Sequence, residues 1–222
     1  MLAGGFGTRL SQVIADVPKP MAPIRGRPFL EFLLGLLGAA KVQRAVLSLG
    51  YKAELIRRHF GDAFGGLQLD YVVEDKPLGT GGAIRLAMAQ CRHDHVFVFN
   101  GDTYLDLEFS GVEQLWQQNR APIIVGREVP STARYGRLTV AQGRVAGFEE
   151  KGAAGPGVIN AGCCVLNRGQ LDGFAPGTPF SFETDYLAGA VARERFDLFM
   201  TQGQFIDIGT PEDLARAQQE LA

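Results

Sequence analysis

Short apolar runs alternate with helical patterns through the first half of the chain, and this alternation limits the fold more than any other feature. A strand, a helix and a second strand in succession require a crossover connection, which sets the two strands parallel in a sheet covered by helices. The alternation predicts strands at 42–49, 67–73 and 96–99, and helices near 52–60, 81–91 and 112–119. We therefore expect an α/β fold with a Rossmann-like mixed, mostly parallel sheet flanked by helices.

After residue 120 the pattern changes to strands with few helical signals between them. Predicted strands lie at 123–129, 137–140, 144–149 and 158–166, and Gln142-Gly143 predicts a hairpin turn. A helical segment near 183–193 and short strands around Leu198 and Phe205 follow. Thr210, as an N-cap with a proline after it, starts a last helix.

The 222 residues suit one sizeable domain, and we expect a single domain over 1–222. A glycine-rich loop begins at Gly4, and such a loop should follow a central strand. Only three residues precede it, so the expected strand is either very short or truncated, and we expect truncation.

Composition excludes several classes of function. The net charge of -2 gives no electrostatic reason to expect nucleic acid as a partner. The longest apolar stretch, 28–40, is far short of the roughly 20 residues that span a bilayer, and no signal peptide is visible. The cysteines are Cys91, Cys163 and Cys164, without a C-x-x-C motif. We expect a reduced, cytoplasmic protein with no membrane partner.

The loop at 3–9 reads AGGFGTR and is suited to phosphate. Its glycines let main-chain N–H groups approach phosphate oxygens closely, and Arg9 adds a planar, permanently charged group. The loop is neither a G-x-G-x-x-G dinucleotide fingerprint nor a Walker loop. By itself it does not distinguish a phosphate site from an ordinary glycine-rich turn.

Three further residues carry chemistry that suits a phosphate and a metal. Prolines on both sides of Lys19 stiffen the backbone around its ammonium group. Asp102 follows the apolar run 96–99, and Asp207 also emerges from an apolar segment. Carboxylates at the carboxyl ends of strands can hold Mg²⁺, which prefers oxygen ligands. Each aspartate alone could equally be a turn former.

Seven motifs occur in order along the chain, and together they are more specific than any one of them. They are 3–9 (AGGFGTR), 18–20 (PKP), 77–83 (PLGTGGA), 100–102 (NGD), 150–151 (EK), 160–162 (NAG) and 207–212 (DIGTPE). This series resembles the sugar-1-phosphate nucleotidyltransferase family from end to end. Segments 18–24 and 28–32 look most like the D-glycero-α-D-manno-heptose 1-phosphate guanylyltransferases within it.

The resemblance implies a GT-A-like nucleotidyltransferase fold, with a nucleotide-binding half at about 1–120 and a sugar-phosphate-binding half at about 121–222. The implied nucleotide-binding residues are Leu2, Ala3, Gly4, Gly5, Gly7, Thr8, Arg9, Lys19, Gly79, Thr80 and Asp102. The implied sugar-phosphate-binding residues are Tyr135, Gly136, Glu150, Lys151, Asn160 and Gly162. The implied catalytic residues are Arg9, Lys19, Asp102, Lys151 and Asp207, with Asp102 and Asp207 as ligands of Mg²⁺.

The implied activity joins a sugar 1-phosphate to GTP, giving a GDP-sugar and pyrophosphate for surface polysaccharide synthesis. Mannose 1-phosphate as the sugar, or a thymidylyl or uridylyl transferase, stays open. Two other classes also compete: a non-catalytic nucleotide-sensing subunit on the same fold, and a nicotinamide-dependent oxidoreductase. The complete set of acidic and basic motif residues argues against the first, and the missing dinucleotide fingerprint against the second. Assembly into a homo-oligomer also stays open.

Overall fold

A computed structural model describes residues 1–5, 10, 14, 17–149 and 154–221. The strands are β1 (Pro23–Ile24), β2 (Arg27–Pro28), β3 (Arg44–Leu49), β4 (Ala63–Phe64), β5 (Leu67–Val73), β6 (His95–Phe99), β7 (Thr103–Leu105), β8 (Ile123–Val129), β9 (Arg137–Ala141), β10 (Arg144–Glu149), β11 (Gly157–Asn167), β12 (Asp197–Met200) and β13 (Phe205–Asp207). The helices are α1 (Phe29–Ala39), α2 (Ala53–Phe60), α3 (Gly79–Met88), α4 (Phe109–Asn119), α5 (Ala188–Arg193) and α6 (Pro211–Glu220). A 3-10 helix lies at Lys19–Met21 and a π-helix at Phe182–Leu187.

The chain forms two compact units, each built from separate stretches of sequence. The first unit contains Met1–Pro77, Asn100–Asp106 and Gln204–Ala222. The second unit contains Leu78–Phe99 and Leu107–Gly203. The boundary near residue 120 that separates the two predicted halves is therefore not a boundary between compact units.

In the first unit, strand β3 has parallel neighbours on both sides. Strand β3 pairs parallel with β5, and β4 adds to β5 antiparallel. Leu2 makes parallel bridges to Ser48 in β3 and to Asn100. The main-chain N–H of Ala3 donates to the Ser48 carbonyl over 2.8 Å. The residues before the glycine loop thus lie beside a buried parallel strand, which is the position expected for the strand that leads into such a loop.

Helix α1 supplies much of the apolar core of the first unit, and the sequence patterns did not predict it. Its buried residues are Phe29, Leu30, Leu33, Leu34 and Leu37. Full burial of a leucine or phenylalanine side chain stabilises a fold by about 1.5–3 kcal/mol. The helix is apolar around most of its circumference and contains Gly35 and Gly38, so its sequence lacks the one-sided periodicity by which helices are recognised.

The second unit is a six-stranded sheet in the order β6-β11-β8-β12-β10-β9. The mixed α/β fold is confirmed, but the sheet is less parallel than predicted. Strand β12 pairs parallel with β8, whereas β11 pairs antiparallel with β6, β8 and β9. Strand β6 was predicted as one of a series of parallel crossover strands. It lies instead at the sheet edge against the long strand β11, because strands arriving from later in the sequence complete the sheet.

Two local predictions are confirmed in detail. Gln142 and Gly143 have φ angles of 51° and 72°, the left-handed conformation that a tight hairpin turn requires at both central positions. At the start of α6, the Thr210 hydroxyl accepts a hydrogen bond from the Asp213 N–H, and Pro211 occupies the first turn.

Two features of the structure concern thiol reactivity and membrane spanning. Cys163 and Cys164 lie in β11 and are both buried, so both faces of this strand are covered. Burial raises the pKa of both thiols, which keeps them protonated and unreactive. None of the described helices is long and apolar enough to cross a membrane.

The hydrogen bonds of the Glu108 carboxylate should make the stability of the fold depend on pH. Burial alone would raise the pKa of Glu108, but hydrogen bonds from the Thr201 hydroxyl and the Gln202 N–H lower it below its ordinary value of 4.5. The ionised carboxylate therefore stabilises the fold above pH 4.5, and this contribution is lost as pH falls through the lower folded-state pKa. We expect Glu108→Gln to lower the urea midpoint at pH 7 and to converge with the parent protein in acid. A difference that stays constant with pH would contradict this.

Candidate active site

Gly4, at the start of the glycine loop, packs so closely against Gly50 that neither position has room for a side chain. A Cβ atom on Gly4 would lie 2.9 Å from the Gly50 nitrogen, and a Cβ atom on Gly50 would lie 2.9 Å from the Gly4 carbonyl oxygen. Gly50 follows β3 directly, so Gly4 lies at the carboxyl end of a parallel strand. Ligands of open α/β sheets bind at this end of the strands. At Gly5, by contrast, nothing lies within 4 Å of an added Cβ atom.

A lysine and two aspartates of the first unit come together. The Lys19 ammonium lies 2.6 Å from Asp102 Oδ2 and 3.9 Å from Asp207 Oδ1. The side chains of Lys19, Asp102 and Asp207 are 15%, 37% and 24% exposed, so solvent screens the pairs only in part. Lys19 lies in the 3-10 helix between two prolines, which holds its backbone in place. The three residues were selected from separate motifs, and folding makes them one cluster.

Strand pairing brings the two aspartates together. Strands β7 and β13 pair antiparallel, with Asp207 opposite Thr103. The Ile208 N–H donates to the Asp102 carbonyl over 3.0 Å, and the Thr103 hydroxyl donates to Asp102 Oδ1 over 3.2 Å. A Cβ atom on Gly209 would lie 3.0 Å from Asp207 Oδ1, so glycine leaves space at that carboxylate.

The two aspartates fit a magnesium ion. Mg²⁺ binds in proteins through one or two carboxylates, with substrate phosphates and water completing its shell. Asp102 and Asp207 supply two carboxylates that a single cation, Lys19, already contacts. Asp102 and Asp207 therefore suit an ion whose shell a phosphate substrate and water complete. No group of three or more His, Cys, Asp or Glu suited to a metal occurs in the described part of the chain.

Gly101 connects the carboxylates to the start of the glycine loop. Its N–H donates to the Leu2 carbonyl over 2.8 Å. A Cβ atom on Gly101 would overlap that same carbonyl oxygen and would lie 3.2 Å from the Ala3 Cα atom. Glycine at position 101 thus allows the chain directly before Asp102 to pack against Leu2 and Ala3, the residues that lead into the glycine loop.

Glu74 lies beside the start of the glycine loop, and the sequence motifs did not indicate it. It follows β5 directly, and its N–H donates to the Leu49 carbonyl. Glu74 Oε1 lies 3.4 Å from where a Cβ atom on Gly4 would be, so its carboxylate is beside the glycine loop. Its position just after the strand 67–73, at the carboxyl end of a predicted parallel strand, was the signal that could have identified it.

In the second unit, Gly79 and Thr80 begin α3 and pack against the chain at Phe180. Gly79 has a φ angle of 69°, and a Cβ atom there would lie 2.5 Å from the Phe180 carbonyl oxygen. That oxygen accepts hydrogen bonds from the N–H groups of Gly81 and Gly82. The Thr80 hydroxyl donates to Glu183 Oε2 over 2.6 Å. The glycines of this motif are therefore needed for packing, whatever ligand they contact.

The sugar-phosphate residues predicted in the second unit also adjoin one another. The Asn160 N–H donates to the Gly136 carbonyl over 3.0 Å, and Asn160 Oδ1 accepts from the Gly162 N–H over 3.1 Å. Between Asn160 and Cys164 the register of β11 against β8 shifts, and Gly162 has a φ angle of 77°. This register shift is a β-bulge, a feature that often redirects side chains at functional sites. Tyr135 lies directly before Gly136.

Five predicted site residues lie outside the described residues. They are Gly7, Thr8, Arg9, Glu150 and Lys151. Their assigned contacts to the triphosphate and to the sugar phosphate stay predictions.

Comparison with known proteins decides the family. The sequence model described as Nucleotidyl transferase matches residues 1–222. The chain belongs to the nucleotidyl transferase family. This membership rules out the nicotinamide-dependent oxidoreductase alternative.

Individual relatives of this nucleotidyl transferase are similar over nearly their whole length. It is 35% identical over 222 residues to the D-glycero-alpha-D-manno-heptose 1-phosphate guanylyltransferase of Aneurinibacillus thermoaerophilus, covering 100% of this chain and 96% of that protein. It is 37% identical over 215 residues to the enzyme of the same name from Campylobacter jejuni, covering 96% and 95%. The crystal structure of HddC from Yersinia pseudotuberculosis is 38% identical with a TM-score of 0.89, covering 100% and 97%, and HddC has also been solved complexed with GMP-PN.

Proposed function

We propose that this nucleotidyl transferase joins D-glycero-α-D-manno-heptose 1-phosphate to GTP, giving the GDP-sugar and pyrophosphate. The observation that carries the substrate choice is the likeness, at 35% and 37% identity over nearly full length, to two enzymes named for that reaction. The GMP-PN complex of HddC, a guanosine nucleotide bound to a 38% identical structure, supports GTP as the donor.

The reaction needs alignment and charge neutralisation more than it needs a general base. An oxygen of the sugar phosphate attacks the α-phosphorus of GTP, and the bond from that phosphorus to the bridging oxygen of the β-phosphate breaks, so pyrophosphate leaves. The attacking phosphate is already an anion, and no proton has to be removed first. Repulsion between two polyanions is the main obstacle, and cationic groups at fixed positions lower it.

The residues of the Lys19–Asp102–Asp207 cluster suit this requirement. Asp102 and Asp207 would hold Mg²⁺, which stabilises charge on the phosphates when bound. Lys19, at 2.6 Å from Asp102, keeps an ammonium group among the carboxylates for the α-phosphate. We assign Arg9 to the departing pyrophosphate and Lys151 to the sugar phosphate, with Glu150, Asn160 and Gly162 around the sugar.

Guanine as the base has chemical support in Glu74. Guanine presents N–H donors at N1 and at its exocyclic amine, and an ionised carboxylate is an acceptor of two such bonds. The Glu74 carboxylate beside Gly4 places such an acceptor at the glycine loop, in the nucleotide-binding half proposed for about 1–120. The remaining half, about 121–222, takes the sugar phosphate, and both belong to one nucleotidyl transferase domain over 1–222. We place the protein in the cytoplasm and its product in surface polysaccharide synthesis.

Pyrophosphate release measures the proposed activity directly. Four nucleoside triphosphates should be crossed with D-glycero-α-D-manno-heptose 1-phosphate, mannose 1-phosphate and glucose 1-phosphate in the presence of Mg²⁺. We expect the highest kcat/KM for GTP with D-glycero-α-D-manno-heptose 1-phosphate, because the 35% and 37% identical relatives are named for that reaction. Turnover of mannose 1-phosphate above that of the heptose would assign a different sugar. Strong turnover of UTP or dTTP without GTP would overturn guanylyl transfer.

A further inference from the structure

We propose that Glu183 is a positioning residue for the nucleotide: it holds Thr80 and thereby fixes the main chain of Gly79 and Thr80, the nucleotide-binding residues that the family resemblance implies. The proposal rests on the proposed function and on that assignment. Glu183 belongs to none of the seven sequence motifs, and it acts through Thr80 without contact to substrate. We name this pair of residues the Thr80–Glu183 clamp.

The hydroxyl of Thr80 is engaged on both sides. It donates to Glu183 Oε2 over 2.6 Å, and it accepts from the Phe182 N–H over 2.8 Å. A hydrogen bond to an ionised oxygen is shorter and stronger than one between neutral groups. The clamp joins residues 103 apart in sequence, so it is a tertiary contact and not a local turn. Its proton is directed at Glu183, so Thr80 offers a ligand mainly its main-chain groups.

Glu183 is itself held in place. The Ser181 hydroxyl donates to the same oxygen, Glu183 Oε2, over 3.3 Å, and Ser181 Oγ accepts from the Thr184 N–H over 3.2 Å. Glu183 lies in the π-helix Phe182–Leu187, a rare form of helix that is frequent at functional sites. Phe182 is buried at 3% exposure and fixes the start of this helix. The carboxylate is therefore presented to Thr80 from a rigid support.

The segment that the clamp holds is rich in glycine, and main-chain hydrogen bonds at Phe180 also hold it. Residues 78–83 read LGTGGA, and glycine has more conformational freedom to lose on ordering than any other residue. The Phe180 carbonyl accepts from the N–H groups of Gly81 and Gly82, and the Phe180 N–H donates to the Leu78 carbonyl. Thr80 is the one residue of 78–83 with a polar side chain. Loss of the clamp should therefore loosen Gly79 and Thr80 while the packing at Phe180 persists.

Steady-state kinetics with each substrate varied separately tests the clamp. For Glu183→Ala we expect the KM for GTP to rise about tenfold, the size of effect that loss of one hydrogen bond to a charged group gives, with the KM for the sugar phosphate within about twofold of the parent. Glu183→Gln keeps an oxygen acceptor for Thr80 and should restore most of the GTP affinity. Thr80→Val removes donor and acceptor together and should reproduce Glu183→Ala.

Asp185→Ala is the matched control. Asp185 Oδ2 accepts from the Ser181 N–H over 2.8 Å in the same segment, whereas the Thr80 hydroxyl donates to Glu183. Loss of the Asp185 carboxylate should therefore loosen the π-helix start and leave the clamp in place. We expect its KM for GTP to stay close to that of the parent protein. An equal rise for Asp185→Ala, a rise in the sugar-phosphate KM for Glu183→Ala, or no recovery in Glu183→Gln would overturn the clamp.

Amide hydrogen exchange separates failure of the clamp from failure of the proposed function. In the ligand-free protein, Glu183→Ala should speed exchange in the peptide that covers 79–88, while the peptide that covers 123–129 stays unchanged. If the parent protein transferred no nucleotide, the proposed function would fail, yet this exchange result would still report whether Glu183 orders Thr80. Unchanged exchange at 79–88 would overturn the positioning role, whatever the activity.

Discussion

Asp102→Asn should lower kcat/KM for nucleotidyl transfer about a thousandfold, since a metal ion that stabilises phosphoryl charge contributes several kcal/mol to the transition state. Asparagine has nearly the same shape, and it removes the charge that lies 2.6 Å from Lys19. The Mg²⁺ concentration needed for half-maximal activity should rise as well. Asp207→Asn should act in the same direction, because Asp207 lies 3.9 Å from the same ammonium group.

Asp106→Asn is the control for Asp102. Asp106 lies on the same short stretch of chain, its side chain is exposed, and its main-chain N–H donates to the Gln204 carbonyl. It should keep near-parent activity and metal dependence. If Asp102→Asn kept the parent's Mg²⁺ dependence and turnover, the metal site assigned to Asp102 and Asp207 would be wrong.

Gly101→Ala should damage both stability and catalysis. The added Cβ atom would overlap the Leu2 carbonyl oxygen, a backbone atom that cannot move away as a flexible side chain could. Overpacking of this kind costs about 1–3 kcal/mol of folding free energy. A displacement of about 1 Å at a catalytic group can cost roughly a hundredfold in rate, and Asp102 is the next residue. We expect a lower urea midpoint and a fall in kcat of about that size.

Gly35→Ala is the matched control for Gly101→Ala. Gly35 lies inside α1, and nothing lies within 4 Å of an added Cβ atom. Alanine in a helix is favoured over glycine by about 0.5–1 kcal/mol, so this variant should be slightly more stable and fully active. Equal activities for Gly101→Ala and Gly35→Ala would show that the close approach at Leu2 does not position Asp102.

Strand positions could be predicted well from the sequence because apolar runs flanked by turn residues mark them clearly. The predicted strands 67–73 and 123–129 match β5 and β8 to the residue. Helix α1 could not be predicted, because apolar residues and glycines on nearly every side of it leave no clear polar face in the sequence. The antiparallel pairing of β6 with β11 could not be predicted either, since pairing partners are set by tertiary packing and not by either strand alone.

In the candidate site too, residues in local motifs could be predicted, and contacts that form only on folding could not. Lys19, Asp102 and Asp207 could be selected because each lies in a short motif with a physical reason, and the structure brings them together. Glu74 could have been selected from its position directly after a predicted parallel strand, whereas Glu183 could not, because it lies in no motif. Their neighbours, Gly4 and Thr80, become neighbours only on folding. The roles assigned to the three motif residues stay predictions until the variants are measured.

The first unit is built from three separate stretches of sequence, and this affects the order in which the protein can fold on the ribosome. Asp102 lies in the stretch Asn100–Asp106 and Asp207 in the stretch Gln204–Ala222, with most of the second unit encoded between them. Bringing two such distant segments together costs loop-closure entropy, which ordering of the intervening chain reduces. We expect the second unit to be synthesised and compact before β13 can pair with β7. Asp102 and Asp207 would then come together late in assembly, and a stalled nascent chain that ends before Gln204 holds only one of the two carboxylates.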